Sequence, residues 1–102
     1  AQATVAEATA PLEVNRPFDG WSEQAPAAWL DAADAVMKAL RAKADLGRVR
    51  GIGLSGQMHG ATLLDAAHRV LRPCILWNDT RSHAEAAALD ADPRFRAVTG
   101  NI

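Results

Sequence analysis

Residues 51–60 read Gly-Ile-Gly-Leu-Ser-Gly-Gln-Met-His-Gly, and the predicted fold depends most on this segment. Ile52 and Leu54 alternate with small residues, which is typical of a short strand, and we expect that strand to span Arg50 to Ser55. In open α/β sheets, ligands bind at the carboxyl ends of the strands. Three side chains follow at that end and are therefore candidate ligand contacts: Gln57, Met58 and His59.

A second polar segment follows the next apolar run. Residues 73–77 read Pro-Cys-Ile-Leu-Trp, which predicts another short strand, and Asn78 and Asp79 come directly after it. Because both polar segments leave strands at their carboxyl ends, we expect residues 57–59 and 77–79 to converge on one side of the sheet. A sugar suits such a surface, since its hydroxyls need groups that donate and accept hydrogen bonds and its C–H patches need a flat apolar wall.

Three of these side chains match those needs directly. His59 is able to donate and accept hydrogen bonds, and Met58 is able to lie along a C–H face. Trp77 offers an aromatic face and an N–H donor to a sugar ring, but packing in the core at the end of its strand is an equal alternative.

Two others have structural alternatives that the sequence favours. Asp79 could accept hydrogen bonds from two sugar hydroxyls, but it is also placed to cap a helix that begins near Arg81, and the cap is the favoured role. Gln57 could reach a sugar or satisfy backbone groups at the end of its strand, and the second role is favoured.

The remaining elements follow from apolar periodicity and from turn residues. A strand is predicted at Thr4 to Ala10, followed by an exposed connection from Asn15 to Gln24. A Pro-initiated helix is predicted from Pro26 to Gly47, with one apolar stripe formed by Trp29, Ala33, Val36 and Leu40. A hairpin from Ala61 to Leu71, turning at Asp65 to His68, precedes a second helix from Thr80 to Leu89 and a final helical turn from Arg94 to Val98. The strand at 50–55 is expected to be parallel to its neighbours, because a helix of this length makes a crossover.

Bulk properties exclude several classes of function. The 102 residues support one domain, and a net charge of −1 with interspersed acids and bases makes nucleic acid an unsuitable partner. No apolar run is long enough for a membrane span. A single cysteine, Cys74, excludes an internal disulfide and fits a reducing cytoplasm, and we expect it to be a small buried hydrophobe. His59, His68, His83 and Cys74 match no ligand spacing, so no metal site is predicted.

The motifs Gln57-Met-His-Gly60 and Leu76-Trp-Asn-Asp79, together with Trp21-Ser-Glu-Gln24, resemble the FGGY carbohydrate kinases. Within that family they are most similar to the branch that acts on D-xylulose. The resemblance implies an α/β fold: a partial ribonuclease-H-like domain of the actin-like ATPase and sugar kinase superfamily, with a mixed sheet and flanking helices. It implies that residues 1–102 form part of the first domain, on its sugar-binding side, without the second, nucleotide-binding domain.

The resemblance also implies an activity, the transfer of the ATP γ-phosphate to D-xylulose. ATP and Mg²⁺ are implied as cofactors, but the family's Asp-x-Gly-Thr turn and catalytic Asp have no counterpart in this chain, which we therefore expect to be an internal piece of a longer kinase. No catalytic residue is assigned here, and a cytoplasmic enzyme, with a homodimer as one assembly, agrees with the family. Glycerol is disfavoured because its kinases carry Arg-Glu where this chain has Met58-His59. The alternatives are a kinase for another polyol or ketose and a non-catalytic actin-like interaction module.

Overall fold

The computed structural model describes residues 3–100 and has an α/β architecture. Three helices and one small sheet account for its regular structure. In chain order the elements are β1 (Glu23–Gln24), α1 (Pro26–Lys43), a single 3₁₀ turn (Leu46–Arg48), β2 (Cys74–Ile75), α2 (His83–Asp90) and α3 (Pro93–Thr99).

The sheet joins parts of the chain that are about fifty residues apart. β1 and β2 pair antiparallel, with Glu23 opposite Ile75 and Gln24 opposite Cys74. Single antiparallel bridges extend the pairing on both sides, from Asn15 to Glu23 and from Ala61 to Ile75. Every pairing within residues 3–100 is antiparallel, so the described part of the chain does not form the expected mixed sheet. β1 also corrects the prediction of an exposed connection up to Gln24, because Ser22 and Glu23 are buried.

Helix α1 begins where its proline predicts. Pro26 occupies the first turn, where a missing N–H costs no hydrogen bond. The helix ends at Lys43 and not at Gly47, with Arg41 and Lys43 in the last turn, where positive charge is favourable. Gly47 instead lies inside the 3₁₀ turn. The predicted stripe is only half-buried at Trp29, Val36 and Leu40, and Ala33 is exposed.

The predicted hairpin is confirmed, and an aspartate closes it. Leu64 pairs with Val70, and the Leu71 N–H donates to the Leu63 carbonyl at 3.0 Å. Asp65 Oδ1 accepts from the backbone N–H of Ala67 and of Arg69, each at 2.9 Å. This side-chain turn replaces the Asn-Gly signature that the sequence lacks.

Two predicted strands are wrong for the described part of the chain. Thr4 to Ala10 and Arg50 to Ser55 have no regular secondary structure and no ladder partners among the described residues. Ile52 and Leu54 are 78% and 94% exposed, where a buried strand was expected. A strand forms only when its N–H and C=O groups pair, and no segment within residues 3–100 pairs with these two.

The C-terminal helices agree in kind with the sequence but differ in their limits. α2 begins at His83, three residues later than predicted. α3 begins with Pro93 in its first turn and is capped by the Asp92 side chain, which accepts from the Arg94 N–H at 2.9 Å. It ends at Thr99, and Gly100 follows as its C-cap in the left-handed region. The buried apolar residues of the described chain are Cys74 and Leu76, which confirms the prediction for Cys74.

Candidate functional site

The two predicted polar segments flank a bridge in which Ala61 pairs with Ile75. The Ala61 N–H donates to the Ile75 carbonyl at 2.8 Å, and the Ile75 N–H donates to the Ala61 carbonyl at 3.2 Å. In an antiparallel pair, the residues before one partner run alongside those after the other. His59 and Trp77 are each two residues from the pair, in those two directions. That one ligand contacts both His59 and Trp77 stays a prediction.

A glycine permits this close approach. A β-carbon at Gly60 would be 3.0 Å from the sulfur of Cys74 and 3.7 Å from the Ile75 carbonyl oxygen. The backbone at Gly60 therefore lies directly against β2. Any larger residue there would have to displace the buried Cys74 side chain.

Met58 and His59 are exposed at this edge, and His59 has an uncommon backbone. Its φ is +66°, in the left-handed region that non-glycine residues seldom occupy. Such a conformation costs free energy and tends to occur where a side chain has a task. Gln57, one residue before Met58, lines a cavity of about 460 Å³ together with Gln24, Trp29 and Leu76.

Trp77 and Asn78 occupy the middle of a tight turn. The Asp79 N–H donates to the Leu76 carbonyl at 3.1 Å, which closes the turn Leu76 to Asp79. Trp77 is 65% exposed and Asn78 is exposed, so the alternative of core packing for Trp77 is wrong in this structure. The indole face is available to a ligand.

Asp79 has a different environment from its two neighbours. Its side chain has no exposed surface. Oδ2 accepts from the Ser22 N–H at 2.6 Å, and Oδ1 accepts from the Arg81 N–H at 2.9 Å. The Arg81 guanidinium donates to both oxygens, from Nε at 2.8 Å to Oδ1 and from Nη2 at 2.6 Å to Oδ2.

The predicted helix-capping role of Asp79 is wrong. α2 begins at His83 with Ser82 at its N-cap, and no side chain caps it. Hydrogen bonds from Arg81 hold the pKa of Asp79 well below its usual range, and those from the Ser22 and Arg81 backbones act in the same direction. The carboxylate is therefore charged, buried and fully engaged by protein donors.

Arg81 extends these contacts into a network that the sequence did not reveal. Its Nη2 also donates to Glu23 Oε2 at 2.9 Å, and its guanidinium carbon lies 3.6 Å from the centroid of the Trp21 ring. We call Asp79, Arg81, Glu23 and Trp21, with the Ser22 N–H, the Asp79 network. An Asp-x-Arg spacing is no motif by itself, and Glu23 is 58 residues away along the chain.

The described residues do not fit the implied metal. No group of three or more His, Cys, Asp or Glu side chains is close enough to hold an ion within residues 3–100. His68 lies on the hairpin turn, and His83 Nδ1 lies 3.1 Å from the Thr80 carbonyl oxygen at the start of α2. In the same range, no helix is long and apolar enough to cross a membrane.

Comparison with known proteins gives one consistent result. The model of the FGGY family of carbohydrate kinases, N-terminal domain, matches residues 1–102. The chain is 52% identical over 99 residues to the xylulose kinase of Escherichia coli K12, covering 96% of this chain and 20% of that protein. It thus spans about one fifth of the length of this kinase and of the xylulose kinase of Klebsiella pneumoniae, to which it is also 52% identical.

Solved structures agree with the sequence matches. A xylulose kinase structure from Brucella ovis superposes with a TM-score of 0.85 at 67% identity, covering 89% of this chain and 20% of that one. The xylulose kinase of Rhodospirillum rubrum superposes with a TM-score of 0.83 at 37% identity, covering 90% of this chain and 20% of that one. The match across the whole chain and these likenesses show that this chain belongs to the FGGY family of carbohydrate kinases.

Proposed function

We propose that this chain is part of a xylulose kinase, which transfers the γ-phosphate of ATP to D-xylulose and forms D-xylulose 5-phosphate. Relatives at 52% and structures at 67% and 37% identity carry the name of that enzyme. Because the chain spans one fifth of their length, the activity is proposed for a longer polypeptide that includes residues 1–102. In it, these residues form part of the first domain, with a ribonuclease-H-like fold.

The observation that carries this proposal is the pairing of Ala61 with Ile75, a bridge that lies between the two candidate segments, residues 57–60 and 76–79. In the proposed site, His59 exchanges hydrogen bonds with sugar hydroxyls and Met58 covers a C–H face. Trp77 stacks against the sugar, Asn78 offers an amide, and Gln57 approaches from the neighbouring cavity. The exposure of Met58 and Trp77, both large and apolar, supports a surface that a ligand covers.

Exposed apolar residues elsewhere support a longer functional unit. Val5, Ile52 and Leu54 are among several large hydrophobic residues that are mostly exposed. Single exposed apolar residues are common, but this many on 98 described residues leave a large apolar area in water. We propose that other segments of the longer polypeptide cover them.

ATP and Mg²⁺ belong to the proposed activity, and their sites lie outside the described residues. Among those residues, the side chains do not fit a metal, and no phosphoryl-transfer step is assigned to them. What residues 3–100 contribute is binding and orientation of the acceptor sugar. The proposed enzyme acts in the cytoplasm, and a homodimer is one assembly that agrees with the family.

The test is a substrate panel with the longer polypeptide. ADP release is measured with D-xylulose, with other ketoses and with glycerol, at one fixed concentration of ATP and Mg²⁺. We expect kcat/KM for D-xylulose to exceed that for every other sugar by at least about tenfold. Preference for another ketose or polyol would assign the chain to a sister kinase, and no turnover with any sugar would support a non-catalytic module. The 102-residue chain alone should be inactive.

A further inference from the structure

We infer that Asp79 and Arg81 are positioning residues, which hold Trp77 and Asn78 in place for the sugar without contacting it. This inference rests on the proposed function, since it concerns the same sugar-binding surface. It replaces a direct sugar contact of Asp79 with an indirect role.

Asp79 links the turn to the start of β1. Asp79 closes the turn that carries Trp77 and Asn78, through its N–H bond to the Leu76 carbonyl. Its side chain accepts from the Ser22 N–H at 2.6 Å, across 57 residues of sequence. One residue therefore fixes both the shape of the turn and its position against the start of β1.

The geometry of Arg81 fixes the orientation of the Asp79 carboxylate. A planar guanidinium binds a carboxylate through two parallel hydrogen bonds, which fixes orientation as well as distance. Arg81 does this to Asp79, donates also to Glu23, and lies over the Trp21 ring. A lysine would keep the charge but would lose the fork and the stacking.

Side-chain exposure distinguishes a positioning role from a binding role. The side chains of Asp79 and Arg81 are 0% and 11% exposed, whereas Trp77, two residues before Asp79, is 65% exposed. Every oxygen of the Asp79 carboxylate already accepts at least two hydrogen bonds from protein groups. One short segment of chain thus carries an exposed aromatic side chain and a buried charged pair.

The turn has further support, so variants of the pair should fold. Thr80 donates to the Gly20 carbonyl from its backbone N–H at 2.8 Å and from its hydroxyl at 3.1 Å. A β-carbon at Gly20 would collide with that hydroxyl, and the φ of Gly20 is +74°. These bonds tie the next residue to the loop before β1 without Asp79.

The chain contains a matched control for the pair. Asp92 and Arg94 have the same spacing and nearly the same contacts, with the Arg94 N–H at 2.9 Å and Nη2 at 2.6 Å from the Asp92 carboxylate. This pair lies at the start of α3, and the Arg94 side chain is 87% exposed. Asp92→Asn and Arg94→Lys therefore make the same chemical changes away from Trp77.

The experiment uses the longer polypeptide and compares Asp79→Asn, Arg81→Lys and the double variant with the control variants. We expect both single variants to lower kcat/KM for D-xylulose by about ten- to a hundredfold, the cost of a misplaced contact. The KM for ATP should stay within about twofold, and the double variant should be no worse than the more affected single variant. Should Asp79→Asn fail to fold, Arg81→Lys alone carries the comparison.

Each other outcome has a distinct meaning. Loss in Asp79→Asn with an unaffected Arg81→Lys would point to direct sugar contact by Asp79 and overturn the positioning role. Equal effects on the D-xylulose and ATP constants, or equal losses in the control pair, would show that the Asp79 network contributes only to general stability. That result would also overturn the positioning role, while leaving the proposed function intact. A wild-type polypeptide without activity on D-xylulose would overturn the proposed function together with this inference.

Discussion

Two histidines of this chain have the same uncommon backbone conformation but lie in different surroundings. His68 has a φ of +60° inside the turn that Asp65 closes, so the turn explains it. His59 has a φ of +66° between Met58 and Gly60, and no such side-chain turn surrounds it. A residue with a β-carbon in this region costs about 1 to 2 kcal/mol relative to glycine. In this conformation, a histidine at position 59 is therefore less favourable for stability than a glycine.

This strain separates stability from function in two variants. His59→Gly should be more stable than His59→Ala by about 1 kcal/mol, because glycine removes the strain and alanine keeps it. Both should lose D-xylulose turnover to the same extent, since neither offers an imidazole. Thermal unfolding of the longer polypeptide checks the first statement and steady-state kinetics the second. A higher melting temperature for the alanine variant would show that the left-handed backbone is not strained.

Residue roles were predictable where local chemistry decides them. Cys74 was expected to be buried because it lies in an apolar run, and it is 1% exposed. Asp79 was ambiguous because it accepts from the N–H of Ser22, and its partner Arg81 donates to Glu23, both more than fifty residues away, and no spacing rule connects them. The exposure of Trp77 depends on a tight turn that hydrophobic periodicity does not encode.

Among elements, the contact between residues 60–61 and β2 matters most, because it lies between the two candidate segments. It depends on the absence of a side chain at Gly60, where a β-carbon would be 3.0 Å from the Cys74 sulfur. Cys74 is buried.

Gly60→Ala should therefore lower the melting temperature, and Cys74→Ala in the same molecule should restore part of the loss by removing the sulfur. The coupling free energy between the two sites should be about 0.5 to 3 kcal/mol. Thermal unfolding of both single variants and the double variant gives this value, with Gly56→Ala as control, because nothing lies within 4 Å of a β-carbon there. Additive effects of Gly60 and Cys74 would contradict the close contact.

Elements with strong local signals were predictable, and those that need distant partners were not. Pro26 marks the start of α1 and Asp65 closes the hairpin, and both signals lie within a few residues. β1 is only two residues long and follows a stretch rich in turn formers, so it has no periodicity to detect. Arg50 to Ser55 alternates as a strand should, but pairing decides a strand, and no described segment pairs with it.

At the scale of the whole molecule, the described chain is extended. Its radius of gyration is 18.8 Å, whereas a compact domain of this length has about 13 Å. Few of its apolar residues are buried, and several aspartates form ion pairs with arginines. Asp65, Asp79 and Asp92 each accept from an arginine and from backbone N–H groups, and the pKa of each is lowered.

These lowered pKa values predict acid sensitivity with a defined sign. A carboxylate whose pKa is lower in the folded state stabilises the fold above its unfolded pKa of about 4, and this contribution disappears as the pH falls through the folded value. The difference in melting temperature between the wild type and Asp79→Asn should thus be constant above pH 5 and should shrink below about pH 4. Circular dichroism between pH 2 and pH 7 measures it, with the exposed Asp31→Asn as control. A difference that grows on acidification would contradict the assignment.

The surface around His59 is proposed to bind the acceptor sugar, and a kinetic comparison of two histidine variants tests this role. His59→Ala and His68→Ala make the same substitution in the same backbone region, one at the candidate site and one on the hairpin turn. In the longer polypeptide, His59→Ala should lose about 1 to 3 kcal/mol of transition-state stabilisation in kcat/KM for D-xylulose, because a sugar hydroxyl is left unpaired. The KM for ATP should not change, and His68→Ala should match the wild type. An unaltered kcat/KM for D-xylulose in a folded His59→Ala enzyme would contradict the claim.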